Sequence, residues 1–143
     1  MKVYIASPFF NEEQKKIVSN IEEICHHNNV DFYSPMKECL YVPGVTDTKD
    51  IFIENIKQIK QCDAVIVVTD GKDVGTLFEA GFAFGIDCQI IYLWLNNKGQ
   101  KFNLMLKESA DAVCLSFETL HIVLKNFEQT GLVEKVTFNG EFE

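Results

Sequence analysis

Short apolar runs and longer stretches with a helical period follow one another along this chain. The apolar runs lie at residues 2–6, 30–33, 63–69, 88–95 and 112–115, and they have the length of buried strands. Helical spacing, or a capping residue before a first turn, predicts helices at 11–26, 51–61, 74–86, 102–107 and 116–130. Residues 34–47 contain two prolines and a glycine without a clear period, which predicts a long loop that is functional or mobile.

This alternation of strand and helix is the pattern of an α/β protein, in which helices cover both faces of a parallel sheet. A chain of 143 residues is long enough to bury a sizeable core, and it contains no repeat or linker. We therefore expect one domain over residues 1–143, with a doubly wound, flavodoxin-like sheet of about five parallel strands. Residues 133–143 show some alternation but predict no element.

The helix predicted at 74–86 carries the most specific signal. Glu79 is its only charged residue, and it follows a strand predicted at 63–69. A helix that is apolar on every face is typical of a protein interior, so we expect it to be buried and Ala80 and Gly81 to resist bulky replacements. Glu79 would then lie near the carboxyl end of a parallel strand, where open α/β sheets bind ligands. A carboxylate in such surroundings is costly unless it is paired or used in chemistry.

Composition narrows the possible functions. A net charge of −8 without a basic run argues against nucleic acid and anionic membrane surfaces as partners, and no apolar run could span a bilayer. All thirteen basic residues are lysines, and the lack of arginine favours a neutral substrate over a phosphorylated one. Five cysteines without metal-ligand spacing indicate reduced thiols in a cytoplasmic protein. No glycine-rich nucleotide motif is present, and we expect neither a metal nor an organic cofactor.

Two carboxylates at the end of the third strand are the candidate chemistry. Asp73 stands where a helix N-cap would be and could serve only as a cap, and Glu79 alone could be a buried, hydrogen-bonded acid. Together they predict a site with one buried and one more exposed carboxylate. Such a pair suits glycosidic-bond chemistry, in which one carboxylate attacks the sugar carbon.

Four blocks of the sequence, at residues 3–10, 55–64, 73–83 and 102–105, resemble blocks that occur in the same order in a known protein family. The third block has the pattern Asp-x-Gly-Thr-x-x-Glu-x-Gly-x-Ala, which is fairly specific, and the fourth contains Asn-Leu-Met. From the first to the last, the blocks span residues 3–105, most of the length of the chain, and they resemble the nucleoside 2-deoxyribosyltransferase family. The resemblance implies exchange of the base of a 2′-deoxynucleoside for a second free base, a reaction of nucleotide salvage.

The resemblance also implies roles for individual residues. Glu79 matches the nucleophile that attacks C1′ and carries the deoxyribosyl group as an ester, so that configuration is retained over two displacements. Asp73 matches the acid that holds the sugar hydroxyls, and Tyr4 matches the tyrosine that orients the nucleophile. Asn103 matches an asparagine that reaches the 5′-hydroxyl from a neighbouring subunit, which implies a homo-oligomer, either a dimer or a multiple of dimers. The implied substrate contacts are Ser7, Pro8, Phe9, Asn55, Gly75, Asn103 and Met105.

Alternatives remain open at this point. Tyr4 could be an ordinary strand residue, Asn103 a helix cap and Phe9 a packing residue. Asn55 stands where many family members have an aspartate that contacts the base, and an amide cannot act as a general acid. The preferred base is therefore open. The protein could also be a hydrolase of (deoxy)nucleosides or deoxynucleoside monophosphates, with water replacing the acceptor base, or a non-catalytic nucleotide-sensing module.

Overall fold

The chain folds around a sheet of five parallel strands, as a computed structural model describes for all residues 1–143. The strands are β1 (Lys2–Ala6), β2 (Asp31–Tyr33), β3 (Ala64–Val68), β4 (Gln89–Leu93) and β5 (Ala112–Cys114). The helices are α1 (Glu12–His27), α2 (Pro35–Glu38), α3 (Thr48–Gln61), α4 (Val74–Gly85), α5 (Leu104–Ser109) and α6 (Phe117–Thr130). The strand order β2-β1-β3-β4-β5 confirms the predicted flavodoxin-like α/β fold.

Each face of the sheet is covered by helices, because the strands are apolar on both sides. Every residue of β3 is buried, as in other strands that are packed between two helical layers. On one face, Val3 and Ile5 of β1 pack in a core with residues of α1 and α6. On the other face, Tyr4 of β1 packs in a second core with residues of α3 and α4. Tyr4 therefore points from β1 toward the helix that carries Glu79.

The loop predicted at residues 34–47 is shorter than expected. Pro35–Glu38 forms the single turn of α2, and α3 begins at Thr48, three residues before the predicted start. The side chain of Asp47 caps α3 by accepting a hydrogen bond of 2.9 Å from the backbone N–H of Lys49. The first turn of α3 is mostly polar, so its apolar period starts only at Ile51. This explains why the pattern placed the helix start too late.

The prediction that α4 is buried on every face is wrong for the single chain. Only Thr76, Ala80 and Ala83 are buried, on the side that faces the sheet. Val74 is 82% exposed and Phe78 is 55% exposed. Gly81, expected to resist bulky replacement, is also exposed, and a Cβ there would meet no atom within 4 Å. One helix face suffices to cover the sheet. The remaining apolar face of α4 (Val74, Phe78, Gly81 and Gly85) stays uncovered.

The C-terminal residues 133–143 return to the sheet region although they form no full element. Val136 forms an isolated bridge with Ala112 of β5, and Phe142 forms one with Phe102, just before α5. None of the helices combines the length and the apolar character that a bilayer-spanning helix needs.

Candidate active site

The candidate site is a cavity of about 150 Å³ at the carboxyl ends of β1 and β3. The turn after β1 forms one wall, and the first turns of α4 form another. Residues of α3, Pro35 at the start of α2 and Cys39 just after α2 complete the lining. Seven residues that the sequence predicted for the site line this cavity together: Ser7, Pro8, Phe9, Asn55, Asp73, Gly75 and Glu79.

Tyr4 and Glu79 form the central contact of the site. The Tyr4 hydroxyl donates a hydrogen bond to Oε2 of Glu79, across 75 positions of the sequence. The Tyr4 ring is completely buried. Burial and the neighbouring Glu79 carboxylate raise the pKa of Tyr4, so its hydroxyl keeps its proton and acts as the donor. The hydrogen bond holds the Glu79 carboxylate in one orientation at the cavity.

Glu79 has a strongly perturbed acidity. Burial raises the pKa of its carboxyl to about 7. The hydrogen bond from Tyr4 opposes this rise because it stabilises the carboxylate, whereas the negative charge of Asp73 adds to it. A carboxyl group with a pKa near neutrality in a cavity is typical of a catalytic group.

Asp73 combines a structural contact with a free oxygen. Its Oδ2 accepts hydrogen bonds of 2.9 Å from both the backbone N–H and the hydroxyl of Thr76, which caps α4. Its Oδ1 has no partner within the chain and can accept hydrogen bonds from a ligand. Gly71 and Lys72 precede it with φ of +80° and +50°, and this left-handed turn after β3 delivers Asp73 to the cavity. The cap and the ligand contact are therefore compatible.

Asn103 and Met105 lie outside this cavity. The Asn103 side-chain oxygen caps α5, accepting hydrogen bonds from the backbone N–H groups of Met105 (2.8 Å) and Leu106 (3.3 Å). Met105 is 74% exposed. Asn103 lines a separate cavity of about 410 Å³, where it lies with Lys72 and Trp94. Within one chain, these two predicted residues are not brought together with Glu79.

The larger cavity has no free carboxylate for chemistry. Its acid is Asp70, and both oxygens of Asp70 are occupied. Oδ1 accepts from the backbone N–H of Leu95 at 2.9 Å, and Oδ2 accepts from that of Asn96 at 2.7 Å. Asp70 thus ties the end of β3 to the segment after β4. The smaller cavity is the better candidate because it holds Glu79 and the free oxygen of Asp73.

Sequence reasoning missed several residues of the smaller cavity. They are Phe10, Pro35, Cys39, Ile51 and Thr76. Pro35 and Cys39 lie in the segment that was predicted as a loop, where no period indicates which side chains point inward. No three His, Cys, Asp or Glu side chains lie close enough together to hold a metal ion. All five cysteines are free thiols.

Comparison with known structures supports the same fold. A 2-deoxyribosyltransferase from Bacillus psychrosaccharolyticus matches with a TM-score of 0.79 and 24% identity, over 96% of this chain and 99% of that one. A 2-deoxyribosyltransferase from Leishmania mexicana matches with a TM-score of 0.69 and 24% identity, over 92% and 99%. A CMP N-glycosidase from Clostridium botulinum matches with a TM-score of 0.60 and 16% identity, over 89% and 99%.

No curated protein sequence matches this chain significantly. The family model of the nucleoside 2-deoxyribosyltransferases, in contrast, matches residues 3–115. This range contains β2 to β5, all of β1 except Lys2, and every residue named above as lining the smaller cavity. The chain therefore belongs to the nucleoside 2-deoxyribosyltransferase family.

Proposed function

We propose that this protein transfers the 2-deoxyribosyl group from a 2′-deoxynucleoside to a second nucleobase. The observation that carries the proposal is the Glu79 carboxyl, partly buried, oriented by the Tyr4 hydroxyl and placed in a cavity with Asp73. Family membership adds the reaction class, glycosyl transfer or glycosidic cleavage on nucleoside substrates. Our proposal goes beyond this reaction class in two respects. The reaction is transfer and not hydrolysis, and it follows the covalent route described below.

The reaction takes two displacements at C1′ of the sugar. In the first, an oxygen of the Glu79 carboxylate bonds to C1′ while the bond from C1′ to the base nitrogen breaks, and its electron pair leaves with the base. A deoxyribosyl ester of Glu79 remains. In the second, a nitrogen of the incoming base bonds to C1′ and gives up its proton, which replaces the proton that the departing base anion takes up from water. The bond from C1′ to the ester oxygen breaks, and the carboxylate is regenerated. Two inversions give net retention of configuration.

The other cavity residues support this route by binding. The free Oδ1 of Asp73 accepts hydrogen bonds from the sugar hydroxyls and places C1′ against Glu79. Ser7, Pro8 and Phe9 border the space for the base, and Gly75 leaves room at the start of α4. Asn55 contacts the base through its amide, which binds without transferring a proton.

We further propose a homo-oligomer in which Asn103 and Met105 of one subunit complete the site of another. Asn103 lies outside the cavity of its own chain, and Met105 is largely exposed. The uncovered apolar face of α4 begins directly after Asp73, so a second subunit bound there would lie beside the site. Phe52 of α3 extends this surface, with its ring centre 6.1 Å from that of Phe78. Exposed apolar surface of this kind is typical of subunit contacts.

The interface proposal makes a direct prediction. Phe78→Lys will shift the protein to monomers in analytical ultracentrifugation at micromolar concentration, because burying a lysine in place of a phenylalanine costs about 2–3 kcal/mol or more per contact. Transfer activity will fall with the loss of the oligomer. The matched control is Ile122→Lys, since Ile122 is similarly exposed (62%) but lies on α6. A wild-type protein that sediments as a monomer would contradict the proposed shared site.

The reaction itself is tested by a chromatographic assay with 2′-deoxyinosine as donor, with and without adenine as acceptor. Formation of deoxyadenosine only when adenine is present establishes transfer, and thymidine as donor then separates purine-only from broad specificity. Release of hypoxanthine at the same rate with and without adenine would identify a hydrolase instead. Absence of any reaction with nucleosides, followed by cleavage of deoxynucleoside monophosphates, would overturn the proposed substrate class.

A further inference from the structure

The thiol of Cys39 lies between two polar side chains at the wall of the candidate site. Its Sγ is 2.8 Å from the Tyr33 hydroxyl and 3.3 Å from Oδ1 of Asn55. Cys39 and Asn55 both line the cavity that holds Glu79. Neither the sequence motif nor the chemistry of the reaction requires Cys39. Its thiol nevertheless contacts Asn55, the residue that is proposed to bind the base.

The direction of these two hydrogen bonds follows from the number of hydrogens. An amide oxygen can only accept, so the single S–H hydrogen of Cys39 is donated to Oδ1 of Asn55. The Tyr33 hydroxyl must then donate to Sγ. Burial raises the pKa of Tyr33, and the contact with Cys39 raises it further, so the hydroxyl keeps the hydrogen that this arrangement needs.

The arrangement leaves one end of the Asn55 amide for a ligand. With Oδ1 held by Cys39, the two N–H groups on Nδ2 have no partner within the chain. We propose, on the basis of the function proposed above, that Cys39 is a positioning residue that fixes the Asn55 amide with its N–H donors toward the base. The site would then take nucleobases that present an acceptor, a ring nitrogen or a carbonyl oxygen, at that point.

Cys39 is itself held from several sides. It is the C-cap residue directly after α2, and its backbone N–H donates to the carbonyl of Pro35 at 2.9 Å. One residue of α2, Lys37, lies 2.7 Å from the carboxylate of Glu22, whose side chain is only 4% exposed. These contacts hold α2 in place against α1, so the thiol meets Asn55 in a defined geometry.

The same network reaches the nucleophile. The Tyr33 ring stacks on the Tyr4 ring, with centres 5.7 Å apart and planes at 17°. Tyr4 in turn donates to Glu79. Tyr33, which contacts Cys39, therefore packs directly against Tyr4, which orients Glu79. This pair of tyrosines links the part of the site that positions the base to the part that positions the nucleophile.

The test compares Cys39→Ala, which removes the donor, with Cys39→Ser, which keeps one. We expect Cys39→Ala to raise the KM for adenine as acceptor about fivefold with kcat nearly unchanged, because the hydrogen bond that orients the Asn55 amide toward the base is lost. Cys39→Ser should restore most of the affinity. Cys88→Ala is the matched control, since Cys88 is a partly buried thiol at the amino end of β4, and it does not line the cavity. Equal values for Cys39→Ala and the wild type would overturn the proposal.

A double-mutant cycle tests whether Cys39 acts through Asn55. In an Asn55→Ala background, Cys39→Ala should change the KM no further, whereas additive effects would overturn the proposal. Calorimetric binding of adenine to the same variants separates this inference from the reaction. Suppose that the wild type catalyses no transfer but binds adenine more tightly than Cys39→Ala does. That result would support the positioning role of Cys39 and contradict only the proposed function.

Discussion

Replacing Glu79 with glutamine will remove deoxyribosyl transfer, lowering kcat by at least about a thousandfold. An uncharged amide keeps the size of the side chain and can still accept the hydrogen bond from Tyr4, but it cannot attack C1′ and leave again as a carboxylate. The measurement is the initial rate of deoxyadenosine formation from 2′-deoxyinosine and adenine. Mass spectrometry of the wild type, quenched with donor alone, should show a deoxyribosyl adduct that Glu79→Gln lacks.

The same replacement will stabilise the protein at alkaline pH. The pKa of Glu79 is raised to about 7 in the folded chain from 4.5. Folding therefore favours the protonated form, and the free energy of unfolding of the wild type falls as the pH rises from 4.5 through 7. Above that range the full cost of the buried charge is present, roughly 3 kcal/mol. Glutamine has no such cost.

Denaturant unfolding at pH 5 and pH 8 measures this effect. We expect Glu79→Gln to exceed the wild type in stability at pH 8, and the difference to shrink strongly at pH 5. Glu128→Gln is the control, because Glu128 is an exposed carboxylate on α6. A Glu79→Gln protein that keeps its activity would refute the role of nucleophile. A stability difference that is independent of pH would refute the raised pKa.

Replacing Tyr4 with phenylalanine will shift the pH dependence of the reaction to higher pH. Glu79, the proposed nucleophile, would act as a carboxylate, so kcat/KM of the wild type should rise with pH around a midpoint near 7, the raised pKa of Glu79. The Tyr4 hydrogen bond lowers this pKa, and its loss moves the midpoint upward. At pH 6.5 we expect a loss of activity of roughly tenfold for each unit that the midpoint moves.

Two further variants make this measurement specific. Asp73→Asn removes a negative charge that raises the pKa of Glu79, so its midpoint should move to lower pH, opposite to Tyr4→Phe. Tyr92→Phe is the matched control, because Tyr92 is a buried strand tyrosine whose hydroxyl contacts Ser109 instead of the site. If Tyr4→Phe and Tyr92→Phe had the same profile as the wild type, Tyr4 would not control the acidity of the nucleophile.

Much of the fold is predictable from local patterns. Buried parallel strands are continuous apolar runs, so all five strands were found within a few residues of their bounds. The caps Asn11, Asp73 and Ser116 act as their spacing indicates, each accepting from a backbone N–H of the first helical turn. The carboxylate at residue 79 and the turn that precedes α4 are likewise local features of the sequence.

The contacts around the cavity could not be predicted from local patterns, because they join distant parts of the chain. Tyr4 meets Glu79 only because β1 and β3 are neighbours in the sheet and α4 packs over them. The contact of Cys39 with Tyr33 and Asn55 depends on the placement of α2, a single turn in a segment without any period. No spacing rule in one sequence relates these residues.

Strand burial, helix capping and motif spacing are local properties of a chain. The fold class, the order of the elements and the carboxylates of the candidate site therefore follow from the sequence. The orientation of Glu79 by Tyr4, the raised pKa of Glu79 and the exposure of the apolar face of α4 do not, because burial and hydrogen bonding depend on which distant segments pack together. An apolar composition shows that a helix face avoids water, but it does not show what covers that face.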